Sequence, residues 1–133
     1  MTAIAEQRRD RGGRAMQSVA RIAFGVFFAG SAVLKYFAAT TEMQMMRDAG
    51  FVNPLPLYVV AAMAQLVLGT AVIIDRFTRP AALGLVLYVA VISYYLHPFW
   101  MLTGEAWSIQ FQLFTKNLGI MAGLLAVAGA AAQ

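Results

Sequence analysis

Four stretches of this chain, about residues 17–38, 55–74, 80–97 and 113–130, are apolar and sparsely charged. Each is close to the roughly 20 residues that a helix needs to cross the hydrocarbon core of a bilayer. Nothing else in the sequence restricts the fold as strongly. Lipid cannot satisfy backbone polar groups, so a segment of this kind must close its hydrogen bonds within itself, as a helix. Hydrophobic residues make up 61% of the chain and charged residues 12%, a balance far from that of a soluble domain. The expected fold is all-α, a four-transmembrane-helix bundle. A mobile basic arm over residues 1–15 leads into one membrane domain over residues 16–133, with no room for a separate soluble domain.

Charge sets the expected orientation. Arg8, Arg9, Arg11 and Arg14 precede the first span, and Arg76 and Arg79 flank the second loop, whereas the segment 98–112 has neither Lys nor Arg. The positive-inside rule then places both termini in the cytoplasm, in a bacterial cytoplasmic membrane. The net charge of +4 reads as attraction to anionic headgroups, with Arg14 and Arg21 as inner anchors, and not as a nucleic-acid surface. Trp100 and Trp107, with Phe99 and Tyr36, form the expected outer aromatic belt. The paired arginines before an apolar run imitate a secretory signal, but Lys35 and Tyr36 interrupt the small residues that cleavage needs, and the segment is expected to stay attached.

Loop chemistry divides the spans. Asn53-Pro54-Leu55-Pro56 suits a capped start for the second helix and Thr78-Arg79-Pro80 for the third. Pro98 disfavours helical geometry at His97 and ends the third helix there. Glu105–Phe111 is amphipathic and is expected to lie in the interface before the chain turns into the fourth span.

The chain has no cysteine and a single histidine. That excludes disulfide relays, iron–sulfur clusters and bis-histidine haem within one subunit, and no metal site is expected. Polar residues inside spans are costly, and each needs a reason. In the first span Arg21, Gly25, Phe28, Ala32 and Lys35 share one stripe. In the second, Gln65 shares a face with Ala61, Ala62 and Gly69. In the third, His97 lies above Ser93 and Tyr94. In the fourth, Lys116 heads Gly119, Gly123, Ala126 and Ala130, and Asn117 follows it. Small residues mark packed faces in membrane bundles, so these polar groups are expected to point inward. Lys35, His97, Lys116 and Asn117 all fall in the outer half, with Gln65 near the midplane. Two lysines near a histidine require an accepting group between them, either Glu42, Asp48 or Glu105 or a ligand with carbonyl oxygens. Structural roles stand beside each: snorkelling for the lysines, interhelical hydrogen bonds for Gln65 and Asn117, and a helix-end bond for His97.

Several blocks resemble the DoxX family of membrane proteins. They are Arg21-Ile22-Ala23-Phe24-Gly25 through Lys35, Ala64-Gln65-Leu66-Val67-Leu68-Gly69, Arg79-Pro80-Ala81-Ala82, His97-Pro98-Phe99-Trp100, and Phe114-Thr115-Lys116-Asn117-Leu118 to Gly123. The resemblance implies a four-helix membrane protein linked to quinone-coupled redox systems. Its expected role is that of an accessory subunit with a protein partner in a membrane redox complex, more than that of a self-sufficient enzyme. On that reading Lys35, Gln65, His97, Lys116 and Asn117 surround a quinone headgroup. Family members often carry a glutamate where Gln65 stands, and an amide cannot exchange a proton as a carboxylate does. A scaffold that recruits a soluble or secreted partner through its loops is the alternative. A small-solute transporter fits less well, because four short helices leave little room for alternating access. The pattern is compatible with a homo-oligomer.

Overall fold

The computed structural model describes residues 2–131. Met1 of the basic arm and Ala132 and Gln133 of the membrane domain lie outside the described residues. Among these residues the chain is built from four helices: α1 (Thr2–Asp48), α2 (Pro54–Ile73), α3 (Thr78–Leu96) and α4 (Gly104–Ala130), with a single 3-10 turn at Phe99–Met101. All four are long and apolar enough to cross a membrane. At 1.5 Å per residue α2 is about 30 Å long, matching the hydrocarbon core, whereas α1 reaches about 70 Å and must extend beyond it at both ends.

Two of these boundaries differ from the sequence reading. The arm is not a separate irregular segment: helix continues from Thr2 through residue 15 into the first span. Nothing in the arm breaks a helix, since it contains no proline and its glycines only weaken one. Glu105–Phe111 likewise forms the first turns of α4 and does not lie apart from it. Gly104, at φ +64°, makes the reversal that precedes these turns, and no proline follows before Ala130 to force a second bend.

The helices run up and down, with α1 packed mainly on α2, α3 on α4, and α2 and α3 joining the two pairs. The shared core is small, built around Phe28, Val72, Ala82, Leu85, Val89 and Leu124. Many large apolar side chains, including Val33, Val67, Leu87 and Leu125, point outward, as expected where lipid is the solvent. In lipid the hydrophobic effect does not drive helices together, and close packing must do so. At the α1–α2 crossing a Cβ on Gly69 would lie 2.7 Å from the Ala29 amide nitrogen, and one on Gly25 would lie 2.8 Å from the Gly69 carbonyl oxygen. The two backbones therefore touch. Between α1 and α4, the Phe24 ring occupies the space that a Cβ on Gly123 would need.

The fourth helix is rotated relative to the sequence expectation. Its buried positions are Asn117, Leu124, Val127 and Ala128, whereas Lys116, Gly119 and Ala126 are exposed. Successive residues differ by about 100° around a helix, so the packed stripe runs through Asn117 and leaves its neighbour Lys116 outside. Of the GxxxG pair only Gly123 receives a neighbouring helix, and among the described residues nothing would lie within 4 Å of a Cβ on Gly119.

Arg21 closes the end of the bundle near the termini. The last carbonyls of a helix lack intrahelical partners, and Arg21 Nη1 donates to the Val72 and Ile73 carbonyls of α2, each at 2.6 Å. Its Nε lies 3.7 Å from Asp75 Oδ1, which also accepts from the Thr78 hydroxyl at 2.5 Å. These bonds hold a turn in which Asp75 and Phe77 adopt left-handed backbone conformations, unfavourable for residues with side chains. Arg21, expected as a headgroup anchor, is thus turned inward as a cap on α2. Arg14 remains exposed, its Nε donating to the Asp10 carbonyl.

Two outcomes are expected from thermal unfolding in detergent. Gly69→Leu should separate α1 from α2 and lose about 1–3 kcal/mol, the usual range for overpacking, while Gly30→Ala, which nothing approaches within 4 Å, should leave stability equal or higher. Arg21→Met should destabilise by about 1–3 kcal/mol, because it leaves the part-buried Val72 and Ile73 carbonyls without their donor.

Candidate functional site

At the end of the bundle opposite the termini, α1, α2 and α3 enclose a groove of about 550 Å³. Its walls are the facing sides of α2 and α3, and its closed end is formed by the part of α1 that extends past the first span, including Glu42 and Met46. Apolar side chains dominate the walls. Lys35, Glu42 and Tyr58 form a polar group in its lining, and Tyr88 and His97, the latter at the C-terminal end of α3, line the groove as well. Val60, Leu87 and Val91 line it and are also exposed on the lipid-facing surface, so the groove opens sideways between α2 and α3.

Lys35 is fixed from two sides. Its ammonium pairs with Glu42, two turns further along α1, and lies 5.2 Å from the centre of the Tyr58 ring, within cation–π range. The Tyr58 hydroxyl donates to the Lys35 carbonyl at 2.6 Å. Lys35 therefore reaches along its own helix to an internal carboxylate instead of out to headgroups, and Glu42 is the accepting group that its position requires.

His97 is fixed by the opposite pair of helices. It is the last residue of the third span, where the helix has already left α geometry at φ −126°, ψ 54°, as Pro98 dictates. Its Nδ1 lies 2.7 Å from Gln110 Oε1 on α4. Below it, Asn117 Nδ2 donates to the Ser93 hydroxyl at 3.0 Å, which donates in turn to the Val89 carbonyl at 2.6 Å. An aromatic cluster locks the connection: the Phe99 ring meets Trp100, Trp107, Phe111 and Phe114 at centroid distances of 5.1–6.3 Å. Trp107 stacks on Phe111. Trp100 and Trp107 remain half-exposed, whereas Tyr36 lies on α1 beside Phe37, apart from this cluster.

Of the five site residues expected from sequence, the groove thus unites Lys35 and His97. Lys116 is exposed and outside it. Asn117 is buried in the α3–α4 contact, and its amide is committed to Ser93. Gln65 is buried in the bundle interior, with Oε1 lacking a hydrogen-bond partner among the described residues, but it does not line the groove. Tyr58, Tyr88 and Gln110 were not anticipated. Helical spacing identifies two of them: Tyr58 precedes Gln65 by seven residues on its stripe, and Gln110 precedes Asn117 by the same interval.

The Lys35–Glu42 pair is testable on its own. Lys35 is largely buried and Glu42 partly exposed, so a double-mutant cycle of Lys35→Met and Glu42→Gln, read by thermal unfolding, should give a coupling on the order of 1 kcal/mol. Glu42→Gln alone should be the more damaging single change, because it leaves the ammonium without its counter-charge.

The sequence model of the DoxX family matches residues 16–98, which covers α1 from residue 16 onward together with α2 and α3, and stops before α4. No curated protein and no solved structure matches the chain. With more than half its length matched, and with four helices able to span a bilayer, the chain belongs to the DoxX family of small integral membrane proteins.

Proposed function

We propose that the protein is the accessory membrane subunit of a quinone-coupled redox system, and that the groove between α2 and α3 binds a quinone. The observation that carries this reading is the division of the groove into a polar closed end, with Lys35 and His97, and apolar walls that open onto lipid. An amphiphile with a small polar ring and a hydrocarbon tail has the same division. The volume of about 550 Å³ falls within the roughly 300–1,000 Å³ usual for small-molecule sites. A quinone would supply reversible transfer of two electrons and two protons.

The chain's own residues bind and orient. Lys35, already paired with Glu42, offers its remaining N–H groups to a ring oxygen. The imidazole of His97, held by Gln110, faces the same end of the groove. Tyr88, half-buried in its wall, contributes a hydroxyl. Lys116 has no part in this site, and Asn117 supports it only by holding α4 against α3. With both termini cytoplasmic, as the loop charges indicate, the headgroup lies toward the outer surface of a bacterial cytoplasmic membrane. The redox partner docks on the exposed loops.

The test is extraction. Protein purified in mild detergent should carry quinone approaching one per chain, measured by mass spectrometry of the solvent extract, and the Lys35→Met/His97→Phe double variant should lose at least about tenfold, the effect of 1.4 kcal/mol. Quinone no higher than on an unrelated four-helix membrane protein purified in parallel would refute the proposal.

A further inference from the structure

The hydrogen bonds already made at the closed end of the groove determine which groups remain open there. The Tyr58 hydroxyl is committed to the Lys35 carbonyl. The Lys35 ammonium gives one of its three donors to Glu42 Oε2 and keeps the others. At His97, Nδ1 faces Gln110 Oε1 at 2.7 Å. An amide oxygen can only accept, so Nδ1 carries the proton, and in the neutral ring Nε2 then holds a lone pair. His97 lines the groove and Gln110 does not, so the imidazole turns its Nδ1 side away and presents Nε2 to the interior. A second acceptor, the other oxygen of Glu42, is left by the Lys35 pair.

A headgroup reaching this end therefore meets both donors and an acceptor at the α1 side, from Lys35 and Glu42, but only an acceptor at His97 on the α3 side. A hydroxyl, which both donates and accepts, satisfies both sides. A carbonyl oxygen placed against Nε2 sets lone pair against lone pair and leaves both desolvated groups unpaired, the costly arrangement for buried polar atoms. We infer that the groove selects a headgroup that donates a hydroxyl hydrogen bond to His97 Nε2, and so favours the hydroquinone over the quinone. This inference rests on the quinone reading proposed above for its ligand class. Its direction comes from the His97–Gln110 bond, which acts as a positioning contact by fixing the tautomer.

The experiment is isothermal titration calorimetry of the detergent-purified full chain under argon, with a decyl-tailed benzoquinone, its hydroquinone, and dioleoylglycerol as an amphiphile with an aliphatic hydroxyl. The hydroquinone should bind at least about tenfold more tightly than the quinone. In His97→Phe the ratio should fall to about one. In Gln110→Lys, the ammonium donates to Nδ1 and moves the ring proton to Nε2, and the preference should reverse toward the quinone. The reversal is a readout that loss of packing would not produce. Quinone binding as tight as hydroquinone in the unmodified chain, or an unchanged ratio in both variants, overturns the inference while leaving a quinone site intact. Binding of dioleoylglycerol alone, lost in His97→Phe, refutes the quinone ligand and supports the donor rule. No binding of any of the three overturns both.

Discussion

The contact between the α1 and α2 backbones at Gly25 and Gly69 is the constraint on which the rest of the bundle depends. Apolar side chains gain little by leaving lipid for one another, so these helices must be brought together by close approach and by polar bonds that lipid cannot replace. The glycine crossing supplies the first. Arg21 on α2's carbonyls at one end, and Tyr58 on the Lys35 carbonyl at the other, supply the second on either side of it. The three contacts fix both the separation and the register of α1 along α2. That register carries Glu42 past the end of the first span and over the closed end of the groove.

The second pair of helices is held differently. Between α3 and α4 the buried surface is branched and aliphatic, through Leu85, Val89, Leu124 and Val127, and orientation is set by the Asn117–Ser93 and Gln110–His97 bonds. Phe99 and its aromatic neighbours brace the short connection between these helices. The imidazole thus belongs to a rigid corner formed by α3, the 3-10 turn and α4. The ammonium belongs to the α1–α2 pair. Their meeting in one groove is a property of how the two pairs join along α2 and α3.

Much of this was legible in the residues. The four spans follow from length and apolarity, and Pro98 marks the end of α3 at His97. The stripe from Arg21 to Lys35 is the face that α1 turns inward, and Glu42 was among the few acidic residues able to answer Lys35. What was not legible has one main cause. In a soluble helix, apolarity separates the packed face from the solvated one, but in lipid both faces are apolar and the contrast disappears. Small residues are then the remaining guide, and on α4 they selected Lys116, Gly119 and Ala126, one position away from the stripe through Asn117 that packs. Gln110 was hidden for a related reason. The amphipathic look of Glu105–Phe111 suggested a surface segment, when its charged end starts α4 and its far side packs on the aromatic corner. The helical state of the arm was hidden by composition, since charge and glycine lower helix propensity without removing it.

Under the function proposed above, the sideways opening of the groove has a further consequence for selectivity. When no specific ligand is present, an acyl chain of the surrounding lipid can lie along the same apolar walls, so occupancy is an exchange of one hydrocarbon chain for another. The tail contacts nearly cancel in that exchange, and the mole fraction of the ligand in the bilayer, not its concentration in water, sets the competition. Discrimination falls to the few hydrogen bonds at the closed end. A change to the walls should therefore alter how fast molecules trade places in the groove, and a change at Lys35, Glu42 or His97 should alter which molecule stays.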